Sequence, residues 1–252
     1  MFSATVWPMK CSINSIFKST EGEGIRIGIP QIFVRFQGCH VGCLNCDTKE
    51  TWEFSEQYLW PLEKVIEKIH SLSIKGIKGK QWVSITGGDP LHPSLEPQVR
   101  ALIVELKKEG YALNIEASGT RLVPDIFEQV DFISFDCKTP STGVKTQEKL
   151  LQQFILNYPF KSQIKSVIAD ERDFDFVHSL YTRLIQELNL GENLLSQISQ
   201  TPWCLTPCYN TGEKFSAEKF IKILKLNESY GNIFRVIGQQ HKWIYGPDKS
   251  EV

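Results

Sequence analysis

Residues 31–52 read QIFVRFQGCHVGCLNCDTKETW, and the fold is decided there. Gln31–Phe36 (QIFVRF) is a short run of β-branched and aromatic residues of the kind that forms a strand. The chain leaves it through a glycine-flanked loop that places Cys39, Cys43 and Cys46 at Cys-x3-Cys-x2-Cys. Working outward, Gln81–Ile85 (QWVSI), Tyr111–Glu116 (YALNIE), Asp131–Asp136 (DFISFD), Gln163–Ile168 (QIKSVI) and Ile233–Ile237 (IFRVI) read as further strands. Between them, Leu62, Val65, Ile66, Ile69 and Leu72 share one helical face, and Leu95, Val99, Leu102, Ile103 and Leu106 share another. Helical patterns also cover 173–188 and 216–228. Strand, helix, strand at this spacing argues for βαβ units, a parallel sheet and right-handed crossovers. About six units are visible, short of the eight of a closed barrel. The expected fold is therefore α/β, an open or partial (β/α) barrel, with a flattened doubly wound sheet as the alternative. Either architecture puts its chemistry at the carboxyl ends of the strands.

The length of 252 residues fits one large domain or two small ones. No repeat, low-complexity tract or Pro/Ser-rich linker divides the chain, so 1–252 is read as a single domain. With 28 Lys and Arg against 29 Asp and Glu, the net charge of -1 lacks the signature of a general nucleic-acid binder. No apolar run reaches the roughly 18 residues of a membrane span, and the start, MFSATVWPMK, has neither a positive n-region nor an apolar h-region. A cytoplasmic protein without membrane contact is the expectation. Seven cysteines are an odd number in a chain too long to need disulfide staples, which favours reduced thiols or metal ligation.

Three thiolates at the spacing of Cys39, Cys43 and Cys46 can each take one iron of a 4Fe-4S cluster, leaving the fourth iron open to an exogenous ligand. A structural zinc ion would want a fourth ligand, and His40 is too near in sequence to be an obvious one; it reads as a loop residue. A partial zinc site, or a fortuitous group of small buried hydrophobes, is the plainer alternative. Cys204 and Cys208 are too few for a second cluster. With Cys11 and Cys137 they read as free loop cysteines, a zinc-bridged dimer being the residual reading. Trp52, Trp60, Trp82, Trp203 and Trp243 fall in separate elements and read as packing anchors.

On the cysteine loop the chain resembles the radical S-adenosylmethionine superfamily, in which the open iron chelates the amino and carboxylate groups of the cofactor's methionine moiety. The residue before the third cysteine is usually aromatic there and packs near the adenine; here it is Asn45. Ser84-Ile-Thr-Gly-Gly-Asp-Pro90 follows a strand as the superfamily's Gly-Gly-Glu-Pro motif does, with Asp89 in place of the usual Glu. Its glycines let backbone groups approach and bond the cofactor's ammonium.

Within that superfamily, Ile16-Phe-Lys-Ser-Thr-Glu-Gly-Glu-Gly24 and Gly28-Ile-Pro-Gln-Ile-Phe-Val-Arg35 are similar to the 7-carboxy-7-deazaguanine synthase family. Its members typically carry Gln-Gly-Glu-Gly there, and an Arg four residues before the first cluster cysteine; Glu21 stands in place of that Gln. Cys46-Asp-Thr-Lys-x-Thr-Trp52, Glu116-Ala-Ser-Gly-Thr120, Asp136-Cys-Lys-Thr-Pro140 and Arg235-x-x-x-Gln-x-His-Lys242 extend the resemblance over most of the chain. The last resembles a C-terminal strand carrying a substrate-contacting His, here His241. The chain continues past it to Gly246-Pro-Asp-Lys-Ser-Glu-Val252, which leaves any role of a terminal carboxylate near Pro247 open.

The resemblance implies a radical enzyme that converts 6-carboxy-5,6,7,8-tetrahydropterin to 7-carboxy-7-deazaguanine with loss of ammonia. An electron from the cluster cleaves S-adenosylmethionine, and the resulting 5'-deoxyadenosyl radical takes a hydrogen from C6 of the pterin. It places Asn45, Cys46, Asp47, Gly88, Ser118, Asp136, Cys137 and Lys138 at the cofactor. Thr20, Glu21, Gly22, Glu23, Arg35, Thr86 and His241 fall at the substrate. Glu21 or Glu23 would accept from the aminopyrimidinone edge, while Arg35 and His241 would meet the substrate carboxylate. Thr48 would be a ligand of Mg2+, a hard cation that takes oxygen. The implied partners are an external one-electron reductant such as flavodoxin or ferredoxin, and a second copy in a homodimer. A glycyl-radical-enzyme activase and a non-enzymatic iron-sulfur electron carrier or redox sensor are the rival readings.

Overall fold

Nine strands join in one sheet in the computed structural model, which describes residues 9–74, 81–187, 200–210, 212, 213, 216–246, 249 and 251. Strands β1 (Lys10–Thr20) and β3 (Leu59–Pro61) run antiparallel along one edge. The remainder are parallel: β2 (Pro30–Phe36), β4 (Trp82–Gly87), β5 (Ala112–Ala117), β6 (Phe132–Asp136), β7 (Ser162–Ile168), β8 (Trp203–Pro207) and β9 (Arg235–Val236). Helices α1 (Leu62–Leu72), α2 (Glu96–Lys108), α3 (Pro124–Gln129), α4 (Glu148–Asn157), α5 (Glu171–Glu187) and α6 (Ala217–Ser229) lie in the six connections between consecutive parallel strands. A last helix, α7 (Gln240–Tyr245), follows β9. The strand order β3-β1-β2-β4-β5-β6-β7-β8-β9 follows the chain from β4 onward and never reverses, as a doubly wound sheet would. The sheet is open, with β3 and β9 at its edges, and this is the partial barrel.

Period-two patterning explains why the barrel is polar inside. Val83 and Ile85, Leu113 and Ile115, Ile133 and Phe135, and Ile164 and Ile168 join the apolar faces of the helices in one core. In that core Phe135 stacks on Phe154 with ring centroids 4.0 Å apart, and Phe127 meets both edge-on. The alternate residues turn inward. Asn114 donates to Ser84 Oγ at 2.8 Å and Gln163 to Ser134 Oγ at 2.9 Å, so this buried polar layer is bridged across neighbouring strands, with Asn114 Oδ1 left without a partner. One layer higher stand Thr86, Glu116, Asp136 and Lys165, the last two paired in register. Arg26 lies over the Trp82 ring at 3.4 Å.

The structure corrects several expectations. Gln31–Phe36 is not the first strand, since β1 precedes it, and Ile233–Ile237 contracts to the two residues of β9. Cys11 and Cys204 are not loop cysteines: they lie on β1 and β8, and burial pushes both thiols up to about 12. Cys137 and Cys208, just past β6 and β8, are also buried. Trp243 is 41% exposed, so it anchors little, although it meets Phe220 edge-on. Position 188 of the last long helical pattern, the N-terminal MFSATVWP and most of the segment after Gly246 lie outside the described residues. Among the described residues no helix is long and apolar enough to cross a membrane.

Candidate active site

At the carboxyl ends of the parallel strands opens a cavity of about 730 Å3. Every residue assigned a site role from the sequence lines it. Thr20 comes from the end of β1, Glu21, Gly22 and Glu23 from the turn after it, and Arg35 from β2. The cysteine loop contributes Cys39, Cys43, Asn45, Cys46, Asp47 and Thr48. Thr86 and Gly88 arrive from the end of β4, Ser118 from β5, Asp136, Cys137 and Lys138 from β6, and His241 from α7. The last placement is a correction: His241 rides on a helix, because β9 ends at Val236 and the chain enters α7 at Gln240. Cys137 buries its thiol, and burial pushes it up to about 12.

The cysteine loop is closed at its base. Gly38 N–H donates to Thr51 O at 2.7 Å and Cys39 N–H to Trp52 O at 2.9 Å, while the Gln37 amide donates to Glu50 O and Glu53 O. At its tip Leu44 N–H donates to Thr142 O at 2.9 Å. The Gly87-Gly88 turn packs beneath this base; a Cβ on Gly88 would lie 2.4 Å from Gly38 O and 2.8 Å from Thr51 O. Only glycine fits there. Asp89 is buried under the loop, donates its N–H to Gly38 O, accepts from Leu91 N–H and lies 3.7 Å from His40. Burial raises its carboxyl above the usual range.

The three thiols suit a cluster better than a single ion. All three are free, and Cys39 Sγ accepts from Val41 N–H at 3.4 Å. Burial raises Cys39 and Cys43, and the nearby Lys138 opposes it at Cys43 by favouring thiolate. Among the described residues no three His, Cys, Asp or Glu side chains come close enough to share one metal ion. Three thiols lining one cavity fit a cluster, in which each thiolate binds a different iron. Thr48 Oγ1 lies 3.7 Å from Cys46 Sγ.

Lys165 and Glu116 are functional candidates that sequence reasoning assigned no role. The Lys165 ammonium, on β7, reaches Glu23 at 2.9 Å, Glu116 at 3.4 Å and Asp136 at 3.7 Å, joining three elements in the cavity floor. Burial works against its charge, but these carboxylates hold it well above the usual lysine value. Burial likewise opposes ionisation of Glu23, yet Lys165, His241 and a 2.7 Å hydrogen bond from Gln239 outweigh it and the carboxyl sits at about 2. Glu21 goes the other way: burial, then the Glu116 carboxylate, push it up to about 7. The available signal was a lysine at an inward position of the strand SQIKSVI, where an unpaired charge would be costly.

Helix α7 closes one side. Gln240 N–H donates to Gly22 O at 2.8 Å, and Lys242, 5% exposed, donates to Asp47 at 3.0 Å, tying the helix to both the Glu-Gly-Glu turn and the cysteine loop. His241 packs on Gly22, where a Cβ would lie 2.3 Å from Nδ1, and burial lowers its pKa. Arg35 lines the cavity and makes no ion pair among the described residues. Asn45 Nδ2 lies 3.7 Å from Cys208 Sγ.

A partial (β/α) barrel whose three-thiolate loop leaves the first parallel strand, with a Gly-Gly turn from the next strand beneath it, defines a radical S-adenosylmethionine enzyme. Residues 20–134 match the family described as a 4Fe-4S single cluster domain. The chain is 33% identical over 216 residues to the 7-carboxy-7-deazaguanine synthase of Buchnera aphidicola subsp. Schizaphis graminum, covering 79% of this chain and 90% of that one. It is 31% identical over 196 residues to the 7-carboxy-7-deazaguanine synthase of Escherichia coli K12, covering 71% and 81%. The chain belongs to the 7-carboxy-7-deazaguanine synthase family. Its fold matches the crystal structure of QueE from Escherichia coli with a TM-score of 0.62 at 23% identity, over 92% of this chain and 95% of that one.

Proposed function

We propose that this chain converts 6-carboxy-5,6,7,8-tetrahydropterin to 7-carboxy-7-deazaguanine and ammonia, in 7-deazapurine and queuosine formation. The observation that carries this reading is convergence: one cavity gathers Cys39, Cys43 and Cys46 on one side and Glu21, Glu23, Arg35 and His241 on the other. The cysteines would hold the 4Fe-4S cluster. Asn45, Asp47, Gly88, Ser118, Asp136, Lys138 and the chain at Cys137 would hold S-adenosylmethionine. When bound, these groups supply hydrogen-atom abstraction, which no protein side chain performs unaided.

The side chains position and shield. Arg35, with no carboxylate of its own, is free to take the substrate carboxylate, helped by His241. Glu23, held anionic, accepts from the aminopyrimidinone edge, and Thr20, Gly22 and Thr86 frame it. The ties of α7 to Gly22 and Asp47 hold this wall in place. Thr48, beside Cys46, supports a Mg2+ site completed by substrate and water oxygens. Thr48→Ala is expected to weaken the response to Mg2+ about tenfold; an unchanged Mg2+ titration of activity would remove Thr48 from the metal. A single domain, supported by one sheet carrying the whole site, an external reductant of the flavodoxin or ferredoxin kind, a homodimer and a cytoplasmic setting complete the reading.

Anaerobically reconstituted protein with dithionite and S-adenosylmethionine tests it. Formation of 5'-deoxyadenosine that rises sharply on adding the carboxy-tetrahydropterin is expected. Cleavage indifferent to the pterin would favour a glycyl-radical activase, and no cleavage at all would favour an electron carrier.

A further inference from the structure

Glu21 and Glu23 face the same cavity from one turn but occupy different electrostatic settings. Glu23 is claimed by Lys165 at 2.9 Å and Gln239 at 2.7 Å. Glu21, 7% exposed, makes no ion pair among the described residues; Oε2 accepts from the Gln31 amide at 2.8 Å and Oε1 from Glu23 N–H at 3.2 Å. The charges around it are Glu23 on its own turn, Arg26 on the following turn, Glu116 on β5, Lys165 on β7 and His241 on α7. Lys165 is already shared by Glu23, Glu116 and Asp136, Lys138 pairs with Asp136 at 2.7 Å, and Arg26, which lies on the Trp82 face and feels the Glu21 charge, makes no ion pair with it. Of the four carboxyls Glu21, Glu23, Glu116 and Asp136, Glu21 is the one without an ion pair among the described residues.

We propose that Glu21 holds a proton when the ligand binds, so that a neutral carboxyl stands beside an anionic Glu23 and the pair offers one donor with several acceptors. This rests on the pterin reading above. An aminopyrimidinone edge carries two donors and, next to them, a carbonyl: Glu23 takes the donors and the Glu21 hydroxyl meets the carbonyl. Two carboxylates would repel that carbonyl. A neutral carboxyl is nearly isosteric with a glutamine amide, which likewise sets a donor group beside an acceptor oxygen. Burial and the Glu116 charge already hold Glu21 at about 7. Gln31 leaves its own Oε1 buried without a partner, so a half-turn of that amide accommodates an N–H donor at position 21.

The test compares wild type with Glu21→Gln, both loaded with cluster and S-adenosylmethionine and left unreduced so that no turnover occurs. Calorimetry of carboxy-tetrahydropterin binding from pH 6 to 9 is expected to give similar affinities at pH 6. Above about pH 7 the wild type should weaken relative to the variant, approaching tenfold per pH unit. Taking the ratio removes the ligand's own titration. The difference infrared spectrum should show a protonated-carboxyl C=O band in wild type that disappears near pH 7 and is absent from Glu21→Gln. A constant affinity ratio, a variant weaker at every pH, or no such band overturns the proposal. If neither protein binds the pterin, the functional reading fails, and the infrared band alone decides the protonation of Glu21.

Discussion

Lys165→Met is expected to lower the stability of the apo-protein at neutral pH by about 3–5 kcal/mol and to abolish turnover. The variant keeps the volume of the side chain but leaves Glu23, Glu116 and Asp136 facing one another without their shared cation, and removing one partner of a buried pair costs that much. The pH dependence identifies the cause. In wild type the depressed Glu23 pKa contributes stability that is present above the ordinary carboxylate value and is lost as pH falls toward about 2. In the variant only His241 and the Gln239 hydrogen bond still oppose burial at that carboxyl, so its pKa rises and that stabilising contribution shrinks. The gap between the proteins should therefore be widest near pH 7 and narrow as pH falls below the ordinary carboxylate range. Urea unfolding at a series of pH values checks this; a gap independent of pH would mean that Lys165 acts through packing alone.

Gly88→Ala is expected to cost the protein its cluster before it costs the fold. The added methyl would enter between Gly38 O and Thr51 O, the two carbonyls at the closed base of the cysteine loop, and neither is the tip of a flexible side chain. Backbone must move, at about 1–3 kcal/mol or more for such overpacking, and the movement spreads the loop that sets the three thiols. Iron per chain after anaerobic reconstitution should fall at least about fivefold, while the far-ultraviolet circular dichroism stays that of the wild type. Full iron incorporation in the variant would show that the loop does not rely on the Gly-Gly turn.

What was legible in the sequence was what obeys a local period. Strands β4 to β7 lie where short runs of β-branched and aromatic residues were read, and the helical faces of α1 and α2 pack on the core, with Leu62, Ile66 and Leu72 of α1 partly buried. Strand β1 escaped because its register shifts between Ile13 and Ser15, so KCSINSIFKST does not alternate cleanly. Strand β8 escaped because all five residues of WCLTP are buried, leaving no contrast between faces. His241 was placed in the right cavity on the wrong element: its motif spans the end of a strand and the start of a helix, and spacing alone does not show where one becomes the other. The Lys165 cluster was illegible for a deeper reason. Its carboxylates come from the turn after β1, from β5 and from β6, and only the strand order and register of the sheet make them neighbours.

The cavity's central claim is that its two halves serve one reaction, cluster chemistry on one side and a carboxylated pterin on the other. Mass spectrometry of a complete anaerobic reaction tests that most directly. The expected result is the appearance of 7-carboxy-7-deazaguanine with one ammonia released per pterin consumed. S-adenosylmethionine cleaved to 5'-deoxyadenosine while the carboxy-tetrahydropterin survives at its original mass would contradict it.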